Sequence, residues 1–344
     1  MRIGIDISLA TKDKAGIGSY ADNLAGALAE LDKANQYFLY SHSASHLNRH
    51  LWFQSLLPLS LQKDEIDVFH GTNFMSPFLS SVSSVITIHD LSFLLYPESQ
   101  PLIRRLYRKL LPLSVKGARK IIVPSQIVKD EVIKYYGVAG SKIAVTPEGV
   151  SSEFKVVGDK DKLSSVRQRY GLPEKFILYV GTLEPRKNVA KLIEAFRMLK
   201  DKEPGIKLVI VGKKGWLFQK MAEQDVIFTG YVPAKDLPAV YNLAEVFVFP
   251  SLYEGFGLPV LEAMACGVPV VTSNVSSLPE VAGEAALLAN PNSAEAIAEQ
   301  VLKLLKDPSL RESMINKGLA RAKLFTWEKC ARETLKVYQE AAHA

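Results

Sequence analysis

The segment EVFVFPSLYEGFGLPVLEAMACGVPVVTS, residues 245–273, constrains the fold of this chain more than any other. An apolar run from Val246 to Pro250 reads as a buried strand, and Val268 to Thr272 as a second. Between them lie a glycine loop and a short helix. Pro259 stands where a first helical turn tolerates proline, and Gly267 where a helix stops. Gly255 and Gly257 carry no side chain, so a ligand can approach the amides that open the helix. Those N–H groups, with the positive end of the helix dipole, suit phosphate or sugar oxygens. Glu254 lies in the loop and Glu262 about one turn into the helix, with seven residues between them. A carboxylate accepts two hydrogen bonds side by side, which matches vicinal hydroxyls of a ribose or hexose. Spacing alone leaves two readings open: a holder of a sugar nucleotide, or an ordinary strand–helix–strand unit with two solvated glutamates.

Further strands recur at MRIGIDIS, QYFLYS, IDVFHG, SVITIHD, KIIVPS and KIAVTPEG, with helical stretches between several of them. That alternation predicts α/β architecture: parallel sheets covered on both faces, with ligands gathered at the C-terminal ends of strands. At 344 residues the chain is long for one core and comfortable for two such domains. FILYVGTLEPRKN opens the second half, and places Arg186 and Lys187 together after a strand, where a diphosphate would want them. His70, His89-Asp90 and Ser125 also fall at strand ends; His70 reads as a satisfied structural histidine.

The residues Glu254, Gly255, Phe256, Gly257, Leu258, Pro259 and Glu262 resemble the E-x7-E signature of retaining glycosyltransferases of the GT-B fold, the large group called family 4. Weaker similarity extends over nearly the whole chain. The resemblance implies two Rossmann-like domains facing each other across a cleft: an acceptor-side domain over 1–165 and a nucleotide-sugar-binding domain over 166–325. The helix of 326–344 then crosses back to the first domain. It further implies that Arg186 and Lys187 grip the leaving diphosphate, helped by amides at Phe256–Leu258. Glu254 is expected to hold hexose hydroxyls, Glu262 the ribose diol, and His89 a sugar hydroxyl. Asp90 either orients His89 or meets the acceptor. Gly16 and Gly18 are expected to face the donor, and Tyr231 and Val232 to flank the base. The family's P-N-G-V segment is here Pro147-Glu148-Gly149-Val150, which removes the basis for carrying a role over to Glu148.

HGTNF, GTLEPRKN and FTWEKCARETL are most similar to bacterial mannosyltransferases of surface-polysaccharide assembly. GDP-mannose is therefore the first choice of donor, with UDP-glucose, UDP-N-acetylglucosamine and dTDP-rhamnose open. A catalytically silent sugar-nucleotide binder is the alternative of another class. No cofactor is expected. Asp159 and Asp161 form a D-x-D, but in a polar, lysine-rich stretch that reads as a helix start rather than a metal site.

Charge points to a further partner. Residues 1–170 hold 21 basic against 16 acidic side chains, a net of +5, whereas 171–344 hold 21 against 20. Seven basic residues crowd 101–120, beside an apolar stripe of Leu102, Ile103, Leu106, Leu110 and Leu113, and no acid lies between Glu98 and Asp130. This suits anionic lipid headgroups and a lipid-linked saccharide acceptor at the inner membrane face. No nucleic-acid recognition module is visible. Two cysteines, no bilayer-length apolar run and no signal pattern predict a cytoplasmic protein.

Overall fold

The computed structural model describes residues 1–10, 17–42, 51–97, 105–213, 215 and 224–343. They form two compact units. One holds the described residues up to Gly149 together with the segment from Phe325 onward; the other holds Val150–Leu324.

The first unit is built on six parallel strands: β1 (Arg2–Asp6), β2 (Gln36–Tyr40), β3 (Val68–Gly71), β4 (Ser83–Thr87), β5 (Lys120–Val123) and β6 (Ile143–Val145). Their order is β2-β1-β3-β4-β5-β6. Consecutive residues such as Val68-Phe69, Val85-Ile86 and Ile121-Ile122 are almost wholly buried. Both faces are therefore covered, and the strands are apolar runs rather than alternating ones. On one face Ile3, Ile5, Val68 and Ile122 meet Tyr20, Leu24 and Leu28 of the helix Ile17–Leu31. They also meet Cys330, Ala331, Val337, Tyr338 and Ala341 of the terminal helix Trp327–His343. The end of the chain thus completes the core of the first unit. His70 is part of that join. Its Nδ1 lies 2.7 Å from Tyr338 Oη and its Nε2 2.7 Å from Thr87 Oγ1, and burial pushes the imidazole down to about 3. It is a neutral structural histidine. On the opposite face Phe69, Ile86 and Ile121 pack with Phe53, Leu57 and Leu61, and with Leu111 and Val115 of the helix Arg105–Gly117.

The second unit repeats the plan with β7 (Phe176–Val180), β8 (Lys207–Val211), β9 (Val226–Gly230), β10 (Val246–Phe249), β11 (Val270–Ser273) and β12 (Leu287–Ala289). Here the order is β12-β11-β10-β7-β8-β9, all parallel. β7 and β10 are neighbours, and their connections run to opposite sides of the sheet. That divergence opens a crevice at their C-terminal ends, where doubly wound sheets hold ligands.

The division between units falls at Gly149, not at 165. Asp159 caps the helix Lys160–Tyr170 by accepting from the Lys162 amide at 3.0 Å. Arg169 and Tyr170 then donate to Asp236 at 2.8 and 2.7 Å, and the Val157 amide donates to Asn242 at 2.8 Å. The bonds to Asp236 and Asn242 tie the polar stretch 150–170 to distant residues of the second unit.

Candidate active site

The β7 and β10 crevice gathers four charged side chains from two loops. After β7 the chain makes one tight turn, Pro185–Lys187, and ends it at Asn188 in left-handed backbone (φ 60°). The Asn188 side chain donates through Nδ2 to the carbonyls of Pro250 at 3.0 Å and Pro291 at 2.7 Å. The Leu252 amide donates to Arg186 O at 2.8 Å. The loops after β7 and β10 are thereby stitched together.

Arg186 lies between two carboxylates. Its Nη1 donates to Tyr253 O at 2.8 Å and Glu254 Oε2 at 3.0 Å, and its Nε stands 2.7 Å from Glu184 Oε1. Lys187 Nζ reaches Glu254 Oε1 at 2.5 Å and sits 5.2 Å from the centre of the Phe249 ring. Arg186, Glu184 and Glu254 are all buried. Two cations and two anions thus balance inside the protein. Such a cluster persists underground only because each charge is paired. Burial opposes ionisation of Glu254, but Lys187 and Arg186 outweigh it and hold the carboxyl down at about 2. Burial, and then Arg186 beside it, lower the Lys187 ammonium.

The glycine loop is braced from β11. Ser276, itself at positive φ (57°), accepts from the Glu254 amide at 3.1 Å and donates to Glu254 O at 2.5 Å. Ser277 Oγ lies 2.8 Å from both Glu254 O and Phe256 O. Gly257 has φ 115°, and a Cβ there would meet Leu278 Cδ2 at 2.7 Å, so only glycine fits before the helix Leu258–Ala265.

Glu262 on that helix has a different environment. Tyr241 donates to its Oε2 at 2.8 Å; burial outweighs this bond and pushes the carboxyl up to about 7. A diol donating to this group would favour the carboxylate, so binding would release a proton. Nucleoside diphosphate affinity should therefore rise with pH through 7, by about tenfold between pH 6 and pH 8. Calorimetry across that range checks this, and Glu262→Gln should flatten the dependence. A flat wild-type profile would contradict a ribose contact at Glu262.

Beyond β9, Tyr231 is 41% exposed and Val232 buried. Lys213 Nζ lies 4.5 Å over the Tyr231 ring. This pair stands just beyond the C-terminal ends of β8 and β9.

In the first unit His89 is buried, with both ring nitrogens engaged: Nδ1 lies 3.1 Å from Glu148 Oε1 and Nε2 donates to Thr72 O at 2.9 Å. Orienting His89 is therefore the work of Glu148. Asp90 instead accepts from the Ser92 amide at 2.8 Å. Gly18 opens the first helix where a Cβ would fall 2.4 Å from Leu9 O, which is a packing reason for glycine. Gly16 lies outside the described residues. Ser125 caps the helix Gln126–Tyr136.

Sequence reading brought Arg186, Lys187 and Glu254 forward, and all three meet. Glu262 stands apart from them with Tyr241. The reading gave no role to Glu184, Asn188, Ser276, Ser277, Tyr241 or Glu148. Their shared signal is position: most follow C-terminal strand ends on the ligand side of a parallel sheet.

Comparison with known proteins agrees with this geometry. The Glycosyltransferase Family 4 domain matches residues 34–154, and the Glycosyl transferases group 1 domain matches 164–321. O-antigen chain mannosyltransferase B of Escherichia coli is 39% identical over 283 residues, covering 79% of this chain and 74% of that protein. The serotype-specific mannosyltransferase WbdA of the same organism is 35% identical over 72% of this chain, which spans 32% of WbdA's own length. Among solved structures, sucrose-phosphate synthase of Thermosynechococcus elongatus superposes with TM-score 0.81 at 22% identity, covering 98% of each chain. Two doubly wound parallel sheets, the matching domains over both units and this degree of identity place the chain in one family: it is a glycosyltransferase of group 1, with a family 4 first domain.

Proposed function

We propose that this enzyme moves a mannosyl group from GDP-mannose to a saccharide or lipid-linked saccharide acceptor, with retention at the anomeric carbon. The observation that carries the reading is the joining of Arg186, Lys187 and Glu254 at the switch point of the second sheet. The similarity to mannosyltransferase B supports the choice of sugar. In this reading the diphosphate enters the cation pair and Glu254 passes to the hexose hydroxyls. As the glycosidic bond breaks, negative charge grows on the departing phosphate. Arg186 and Lys187 stabilise it, with amides at Phe256–Leu258. Glu262 holds the ribose, and Tyr231 and Val232 flank the base. The leaving phosphate takes the acceptor's proton, so no protein base is assigned. A glycosidase-like mechanism needs two carboxyls flanking the scissile bond, and in this reading Glu262 is committed to the ribose.

The test is a thermal-shift screen of GDP-mannose, UDP-glucose, UDP-N-acetylglucosamine and dTDP-rhamnose, because ligands of the folded state raise the melting temperature by mass action. A shift with another donor alone would replace mannose. Hydrolysis of GDP-mannose without acceptor would separate an enzyme from a silent binder.

Turnover should need no divalent metal, because cations of the protein occupy the diphosphate position. Activity lost with chelator and restored by Mg²⁺ or Mn²⁺ would contradict this.

The acceptor reading extends to the membrane surface. No helix among the described residues is long and apolar enough to cross a bilayer. On the helix Arg105–Gly117, Arg108, Lys109 and Lys116 are exposed beside an exposed Leu113. Each cation near an anionic surface contributes about 1 kcal/mol, so four would give reversible docking. Changing Arg104, Arg105, Arg108 and Lys109 to Ser should abolish co-sedimentation with anionic vesicles at low salt. If wild type also stays in the supernatant, the acceptor is to be sought among soluble sugars.

A further inference from the structure

Lys116, Arg119 and Lys120 of the basic run 101–120 join Lys142 at one edge of the first sheet. β5 starts at Lys120 and β6 at Ile143, side by side in the sheet. At these N-terminal strand ends lies a groove of about 420 Å³ lined by Lys116, Arg119, Lys120, Ser141 and Lys142. Because every strand of the sheet is parallel, this is the edge opposite the C-terminal strand ends.

Four cations share the groove, from three separate segments. Lys142 Nζ donates to Lys116 O at 3.0 Å, so the end of the helix Arg105–Gly117 is tied to the turn before β6. Lys120 donates to Ser141 O at 3.1 Å and pairs with Glu340 at 2.6 Å. Among the described residues, Lys116, Arg119 and Lys142 make no ion pair. Lys142 is partly buried, and burial together with Arg119 lowers its ammonium from the usual lysine range. Cations held close to one another without counter-charge raise each other's free energy, and an anion seated among them removes that cost. Lysine and arginine side chains that converge on a groove, with backbone carbonyls fixing two of them, are the donor set for phosphate oxygens.

We propose that this groove is a binding site for a phosphate-bearing anion, with Lys116, Arg119 and Lys142 as its donors. It is separate from the donor cluster of the second unit and does not depend on the sugar assigned there. The phosphate chemistry is common to a soluble phosphate ester and to the headgroup of an anionic lipid, and the test distinguishes them.

Lysine acylation at pH 8, followed residue by residue by mass spectrometry, reports each ammonium separately. Inorganic phosphate is compared with sodium chloride at equal ionic strength, and phosphatidylglycerol vesicles with phosphatidylcholine vesicles. Phosphate at about three times its Kd leaves a quarter of the sites open, so Lys116 and Lys142 should react ~4-fold more slowly. Lys134 and Lys162 should be unchanged, and Arg119→Ser should remove the protection. Protection by phosphate and by phosphatidylglycerol assigns a headgroup site; protection by phosphate alone assigns a soluble phosphate ester. Equal rates in phosphate and chloride, or slowing that spreads equally to Lys134 and Lys162, overturn the proposal.

Discussion

Replacing Lys187 with alanine is expected to lower turnover by at least ~100-fold, on the order of losing one preorganised charge donor, while leaving the protein folded. Removing Lys187 leaves Arg186 between Glu184 and Glu254, so each carboxylate keeps one cationic partner. Arg186→Ala should cost as much in turnover and considerably more in stability. Arg186 stands between Glu184 and Glu254, all three buried, and its loss leaves two carboxylates facing each other with Lys187 as the remaining cation. Breaking a buried pair from one side costs about 3–5 kcal/mol. Steady-state kinetics with thermal unfolding separates the effects. A folded Lys187→Ala enzyme with near-normal turnover would remove the diphosphate role from this cluster.

Glu254→Gln should also lower turnover ~100-fold or more, with the opposite signature in binding. The Glu254 carboxylate engages both cations, so an incoming diphosphate must displace it. Removing its charge leaves the clamp available, and bare GDP should bind the variant as tightly as wild type or tighter. A contact made to the hexose is lost from the transition state and not from binding of a nucleotide that carries no hexose. Glu262→Gln should weaken GDP binding instead. If calorimetry finds Glu254→Gln unable to bind GDP while Glu262→Gln binds normally, the two roles are reversed. Glu254 carries a further pH consequence. Its folded carboxyl, held at about 2 against an ordinary value of 4.5, contributes stability that is present above 4.5 and lost as pH falls toward 2.

Local patterns in the sequence determined a great deal about this protein. Apolar runs such as FILYV and VFVF, short and bounded by turn residues, read as strands covered on both faces, because no period-2 alternation leaves them a solvent side. Proline at 259 and glycine at 257 and 267 set the bounds of the helix after the loop, since backbone freedom is a property of the residue itself. The nearness of Arg186 and Lys187 to Glu254 was legible only through resemblance, for Lys187 and Glu254 are 67 positions apart. Tertiary structure decided it by placing β7 beside β10, out of chain order, and by fastening their loops through Asn188. The same holds for Glu148 and His89, which are 59 residues apart and meet where their loops converge. Tertiary structure also decided what each charge does. Glu254 and Glu262 are alike in type and close in sequence, yet two cations drive one toward ionisation and burial drives the other toward neutrality. A sequence names the ionisable group, but its protonation depends on neighbours and water exclusion, which exist only once distant segments have packed.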